Sequence, residues 1–194
     1  MNQWLLNPDR LWSWPELREQ QVLPKKPGIY GWYFQGLPKR VPISACHTIE
    51  GWSLTYVGIA SSAQTLQRRI STHFTGNACG STLRLSLGCL LSSELDIQLR
   101  RASGSGKRLT FALDEGERKL SSWMATHARV VFVEAEQPRT SEKELFRELN
   151  LPLNLEGNSQ HPFHETLSNL RTEHRLLARS SSPLPARERT RSAP

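Results

Sequence analysis

Gly28-Ile29-Tyr30-Gly31-Trp32-Tyr33-Phe34 is an aromatic and β-branched run, with Pro24 and Pro27 before it and Gly36 after it. That composition between chain breakers reads as a strand. Residues 36–50, with Pro38, Lys39, Arg40 and Pro42, read as an excursion between strands. Trp52-Ser53-Leu54-Thr55-Tyr56-Val57-Gly58 then alternates well enough for a second strand. No crossover helix fits between the two, so the spacing predicts antiparallel pairing. From Gln64 the period changes. Leu66, Ile70 and Phe74 recur every four residues, the stripe of an amphipathic helix that Gly76 ends. Arg69 and His73, also four apart, share the flank of that stripe.

Further along, a helix is expected from Ser81 to about Leu91, with Leu83, Leu87 and Leu90 inward. Arg100 to Lys107 reads as a loop, and Asp114 with Glu117 has the spacing of a capping box before a helix through Trp123 and Met124. Ala128 to Ala135 is the third strand. After Pro138 a helix carrying Leu145 and Phe146 runs to about Asn150, where Leu151-Pro152-Leu153-Asn154 stops it. Pro162 opens a last helix with Leu167, Leu170 and Leu177 as its apolar side. The expected architecture is α+β: a small, mainly antiparallel three-stranded sheet flanked by helices. Residues 1–26, rich in Trp and Leu, pack on a domain of residues 27–178, and residues 179–194 form a disordered basic tail.

The chain has 194 residues, 37% hydrophobic and 22% charged, which suits one soluble domain with a tail. Its formal charge is +7, but from Arg175 onward five arginines face one acid, Glu188, and hold four of those charges. The body is only mildly basic, which permits a nucleic-acid partner without showing one. No apolar run approaches the ~20 residues of a membrane span, and the first residues lack the pattern of a secretory signal. Three cysteines (Cys46, Cys79, Cys89) form no C-x-x-C pair, so no disulfide framework or structural zinc site is expected, and a cytoplasmic location follows as the default.

Gly28-Ile29-Tyr30, Tyr56-Val57-Gly58, Leu66-x-x-Arg69-Ile70-x-x-His73-Phe74, Glu142-x-x-Leu145-Phe146 and Pro152-x-Asn154 occur in that order on strand, strand, helix, helix and loop. In that order and setting the set resembles the GIY-YIG nuclease family, which includes the excision-repair endonuclease subunit and several homing and restriction endonucleases. The resemblance spans about residues 27–155. Two departures stand out: residues 36–50 lengthen the usual short hairpin, and Ile59 stands where many members carry a Lys.

The resemblance implies a metal-dependent endonuclease that hydrolyses DNA by in-line attack of water, with a non-cleaving nucleic-acid-binding module as the alternative. It assigns Glu142 as the metal-holding carboxylate, and a single carboxylate suits Mg²⁺ (or Mn²⁺), which keeps most of its waters. Glu144 competes for that role, but Ser141 and Glu144 have capping-box spacing, which explains Glu144 without chemistry. Arg69 is expected to hold the scissile phosphate, with Arg68 an ordinary surface arginine. Tyr30 is the implied general base, although a phenol near pKa ~10 needs nearby positive charge to act as one at neutral pH. Tyr56 orients water or phosphate, His73 donates to phosphate or assists proton transfer, and Asn154 steadies the loop that bears the site. Gly28 and Gly58 are expected where strands approach closely. Independently, the polar turn from Gly76 into a helix start suggests a DNA-backbone contact at Ser81 and Arg84. His161 and His164 lack a third ligand and read as a helix start that docks Phe163. All the catalytic side chains are expected around one concave surface, with Glu142 in the first turn of its helix and on the tyrosines' side of the sheet.

Overall fold

Two short helices, α1 (Gln3–Leu6) and α2 (Trp14–Gln20), carry the N-terminal tryptophans onto the domain. Ser13 caps α2 through a reciprocal pair with Glu16. Leu5 and Leu17 are buried, and Trp14 stacks on Phe74 with ring centroids 4.8 Å apart. The computed structural model describes residues 2–102, 108–111 and 113–182, without the side chains of residues 113, 114, 140, 141 and 143.

The aromatic strands appear as β1 (Gly28–Phe34) and β3 (Trp52–Ala60), paired antiparallel. Between them, the excursion returns through a short strand, β2 (Thr48–Ile49), that pairs with the start of β3. Glu50 and Gly51 join the two with φ of 48° and 80°, the left-handed pair that matches a tight hairpin to strand twist. The helices α3 (Leu66–Thr75) and α4 (Thr82–Leu90) follow, capped by Thr65 and Ser81. A two-stranded ribbon, β4 (Leu99–Arg101) with β5 (Leu109–Phe111), takes in Arg100 and Arg101, which the sequence places in a loop. Residues 103–107 of that expected loop lie outside the described residues.

Next come α5 (Leu113–His127), β6 (Ala128–Glu134), α6 (Pro138–Glu148) and α7 (His164–Ser180). The main sheet has the order β2-β3-β1-β6, four strands and not the expected three, because a Glu-Gly hairpin is a weak signal beside a two-residue strand. Pro138 occupies the start of α6, so Glu142 lies in its second turn and Ser141 inside the helix. The predicted first-turn position and Ser141 cap are thereby corrected. The side chain of Asp114, half of the other predicted capping box, is outside the described residues. On α7 the buried side is Leu167, Arg171 and Ala178, while Leu177 is exposed. The tail beyond 182 lies outside the described residues. Among the described residues, no helix is long and apolar enough to cross a membrane.

A bulge sets which side chains share a face. Trp32 pairs with Tyr56, but the next residue, Tyr33, pairs with Leu54, leaving Thr55 as the extra residue of β3. Tyr30, Trp32, Phe34, Tyr56 and Ala60 therefore face the layer of α3, α4, α5 and α7. Ile29, Tyr33, Leu54 and Val57 face Leu5 of α1 and Leu145 of α6. Helix α6 thus packs on the face opposite the tyrosines, contrary to expectation.

The Arg84 side chain is fully buried, which removes it from any DNA surface. Its guanidinium donates to Glu117 Oε2 at 2.8 Å and to the carbonyls of His73 and Phe74 at 3.2 and 2.8 Å. It thereby satisfies the carbonyls that end α3. Glu117 in turn accepts from the Ala78 and Phe111 backbone N–H groups and the Thr110 hydroxyl. Removing one partner of a buried pair strands the other charge. Glu117→Ala is therefore expected to destabilise the fold by ~3–5 kcal/mol in urea denaturation. A loss within ~0.5 kcal/mol, ordinary for a surface change, would contradict this arrangement.

Candidate active site

Tyr30 sits directly opposite Gly58 in the β1–β3 register. Its ring lies across the glycine: a Cβ built there would stand 2.6 Å from the Tyr30 Oη and 2.7 Å from Cζ. The absent side chain lets the end of the phenol ring lie over β3, where its hydroxyl meets His73 Nε2 at 2.8 Å. The close approach expected of Gly58 is thus strand backbone to side chain. At Gly28 a Cβ would meet the Val133 carbonyl oxygen at 2.2 Å, which is strand against strand.

A cleft of about 1120 Å³ opens at this edge, lined by Tyr30, Tyr56, Arg69 and Glu142 among others. Although α6 anchors on the other face, its Glu142 opens onto the same cleft as the tyrosines, and both tyrosines feel its charge. Four separate elements, β1, β3, α3 and α6, supply these four side chains. Glu142 is half-buried and Glu144 exposed, so the carboxylate inside the cleft is Glu142. Arg68 is exposed, while Arg69 is half-buried and donates to the Gly80 carbonyl at 3.4 Å.

Asn154 acts on the strand. Its Oδ1 accepts from Val57 N–H at 2.9 Å and its Nδ2 donates to Val57 O at 2.7 Å. Leu153 N–H adds a 3.0 Å bond to the carbonyl of the bulged Thr55. The 151–154 segment so takes the place of a neighbouring strand along the edge of β3, between the two residues that matter, Tyr56 and Gly58. Asn154 also lines the cleft, yet its amide is occupied by Val57.

His73 and Ser81 are buried behind Tyr30 and away from the cleft surface, which corrects their expected contact with phosphate. Tyr30 Oη lies 2.8 Å from His73 Nε2, and His73 Nδ1 lies 2.7 Å from Ser81 Oγ. Ser81 also accepts from the Arg84 backbone N–H at 3.0 Å as the cap of α4. Burial, with Arg69 and Arg84 near, holds His73 well below its ordinary range, so the imidazole is neutral. Both ring nitrogens of His161 are engaged within the fold. His161 Nε2 meets Asn150 Oδ1 at 2.8 Å and its Nδ1 accepts from Phe163 N–H at 3.0 Å.

Burial pushes both tyrosines above the usual phenol range. Arg69 pulls each of them back. Desolvation also raises Glu142, aided by the charge of Glu156 and opposed by Arg139. Sequence reasoning missed five charged lining residues: Arg139, Arg147, Glu156 and the two arginines of α7, Arg171 and Arg175. The signal for Arg171 was present, since it stands four residues after Leu167, on the stripe assigned to the core.

Filling the space at residue 58 is expected to unseat Tyr30. Gly58→Ala should destabilise the fold by ~1–3 kcal/mol, the cost of overpacking a filled site. It should also shift the His73 ring resonances as the Tyr30 bond is lost. Unchanged His73 resonances would show that the ring does not depend on that gap.

Comparison with known families bears on the chain as a whole. A family model of the GIY-YIG catalytic domain matches residues 28–173, from the glycine that starts β1 to just past Arg171 on α7. Neither curated proteins nor solved structures yield a match. With three quarters of its length matched, the chain belongs to the GIY-YIG catalytic-domain family.

Proposed function

We propose that the cleft hydrolyses phosphodiester bonds of DNA, with a divalent metal ion held at Glu142. The observation that carries this is the convergence of Tyr30, Tyr56, Arg69 and Glu142 from four elements onto one cleft. The donor set suits Mg²⁺ or Mn²⁺. Among the described residues no group of three His, Cys, Asp or Glu gathers, and Mg²⁺ accepts one carboxylate with water and substrate phosphate completing its shell. A desolvated carboxylate repelled by Glu156 is also a group that a cation relieves. When bound, the metal supplies charge neutralisation and polarises oxygen.

The chain's own groups do the rest. Arg69 binds the non-bridging oxygens of the scissile phosphate and offsets the charge that grows there. Tyr56 orients the phosphate through its hydroxyl. Tyr30 is a neutral phenol in the bare site, because burial outweighs the pull of Arg69. It serves as base by taking the water's proton at Oη while its own passes along the 2.8 Å bond to His73 Nε2. His73 is thus a positioning and relay group behind the cleft. The relayed proton leaves His73 back through Tyr30 once the product departs, and the leaving 3′-oxygen, on the far side of the phosphorus, takes its proton from water in the cleft, so no net charge stays buried.

Nicking of supercoiled plasmid with and without Mg²⁺ tests the assignment. Arg69→Ala is expected to lower the rate on the order of 10²–10³-fold, as for loss of one transition-state donor. Glu142→Gln should abolish nicking. Wild-type rates in Glu142→Gln would overturn the metal assignment. Absence of Mg²⁺-dependent nicking by the unaltered chain would favour a binding module, with Ile59 lining the cleft where the resemblance expects a lysine in many members of the family.

The pH dependence has a definite sign. Glu142 has its pKa raised above the ordinary 4.5, so the folded state favours the protonated form and its ionisation costs stability as pH rises through the raised value. Glu142→Gln should therefore melt higher than the unaltered chain near pH 7, the gap closing below the unfolded pKa of ~4.3. Cleavage by the unaltered chain should fall as pH drops through the raised value. Equal melting temperatures across this range would contradict a desolvated Glu142.

A further inference from the structure

Arg171 and Arg84 are the two buried arginines of the core, and their surroundings differ. Arg84 is bonded to Glu117 and to two helix-end carbonyls. Arg171 is 8% exposed, its Nε is buried without a partner, and no hydrogen bond or ion pair to it occurs among the described residues. Its side chain lines the cleft. A guanidinium with so little of its surface in water and no counter-ion among the described residues is costly unless something in the cleft supplies one. The neighbouring charged group makes matters worse: Arg175, one turn on, also lines the cleft and is also cationic. Ser168, one turn before, adds a hydroxyl to the same face of α7. The acids of the cleft, Glu142 and Glu156, pair with neither arginine.

We propose that Arg171 and Arg175 form a second phosphate subsite, which takes a backbone phosphate of the nucleic-acid strand next to the one being cleaved. The phosphodiester identity of the anion rests on the nuclease assignment above. Arg69 from α3 and Arg171 from α7 line the same cleft as Tyr56, so the cleft carries two cations from different elements. One holds the reacting phosphate and the other its neighbour. The subsite fixes the strand along the cleft, and Arg171 acts by binding.

The test uses the full chain with chelator present, so that binding is read without cleavage. Inorganic phosphate is titrated while the ¹⁵N-edited Nε–H signals of the arginines are followed, and oligonucleotide affinity is measured against salt. Phosphate is expected to shift the Arg171 signal, identified by its loss in Arg171→Gln. Arg171→Gln should weaken oligonucleotide binding about tenfold and reduce the slope of log affinity against log salt by ~0.7–0.9, the value of one phosphate contact. Arg171→Lys should keep most of that slope. Arg171→Gln should melt no lower than the unaltered chain, because it removes an unpaired buried charge. A lower melting temperature with an unchanged salt slope would mark a structural arginine and overturn the subsite. Unchanged affinity in Arg171→Gln, with nicking intact in the unaltered chain, would overturn the subsite alone. Phosphate binding at Arg171 without any oligonucleotide binding would overturn the nucleic-acid strand as occupant, and the nuclease assignment with it.

Discussion

The ring of Tyr30 fills the space that a side chain at Gly58 would occupy, and the site's geometry follows from that one contact. A strand tyrosine ordinarily projects straight from its sheet and is covered by the helix above. Here its ring end lies over the neighbouring strand at Gly58, and the tyrosine lines the cleft there. The contact needs β1 and β3 in strict register at Tyr30 and Gly58. That register is held from outside by Asn154, whose amide makes both hydrogen bonds to Val57 that a further strand would make. The asparagine, the glycine and the tyrosine act as one device, although 124 residues separate the first tyrosine from the asparagine.

Edge placement also explains how α6, packed by Leu145 on the opposite face, serves the same cleft. A site in the middle of one face would be closed to it. At the edge, side chains from both layers meet, and the cleft draws on α3 and α7 from one side and α6 from the other. Charges there lose water without all gaining partners. Arg84 shows that this fold can pair a buried arginine completely; Arg171 and Glu142 are left unpaired in the cleft. Local departures from satisfied polarity of this kind are where function is expected to reside.

Much of this was legible in the sequence. Strands, helix stripe and ordered motifs depend on local pattern, and Tyr30, Tyr56, Arg69 and Glu142 carry it. What failed depends on tertiary packing. Ser81 and Arg84 look like an exposed helix start, and only the packing of α5 over α4 shows that Glu117 consumes the arginine. His73 lies on the flank of a stripe, which fixes its direction but not that Tyr30 and Ser81 enclose it. The face of α6 was misjudged because its period fixes an apolar side without saying which layer receives it. Arg171 is masked in the sequence by its leucine neighbours, because an apolar stripe defines the buried side of α7 without revealing that a cation shares it.

The long excursion between β1 and β3 leaves the site undisturbed for a topological reason. The excursion leaves β1 after Phe34 and returns at Ser53, the end of the pair opposite Gly28 and Ala60. The tyrosine and glycine of the site lie towards that second end. Between the two stands the bulge at Thr55, where the strand absorbs one extra residue and changes which face its side chains meet. Leu54 can then serve the α1 and α6 layer in step with the hairpin, while Tyr56 turns to the layer of α3 beside Tyr30. Without the extra residue, register kept from the hairpin would carry Tyr56 onto the wrong face. The Leu153 bond to the Thr55 carbonyl holds the bulge in place, so the segment that fixes the edge of the site also decouples it from the insertion.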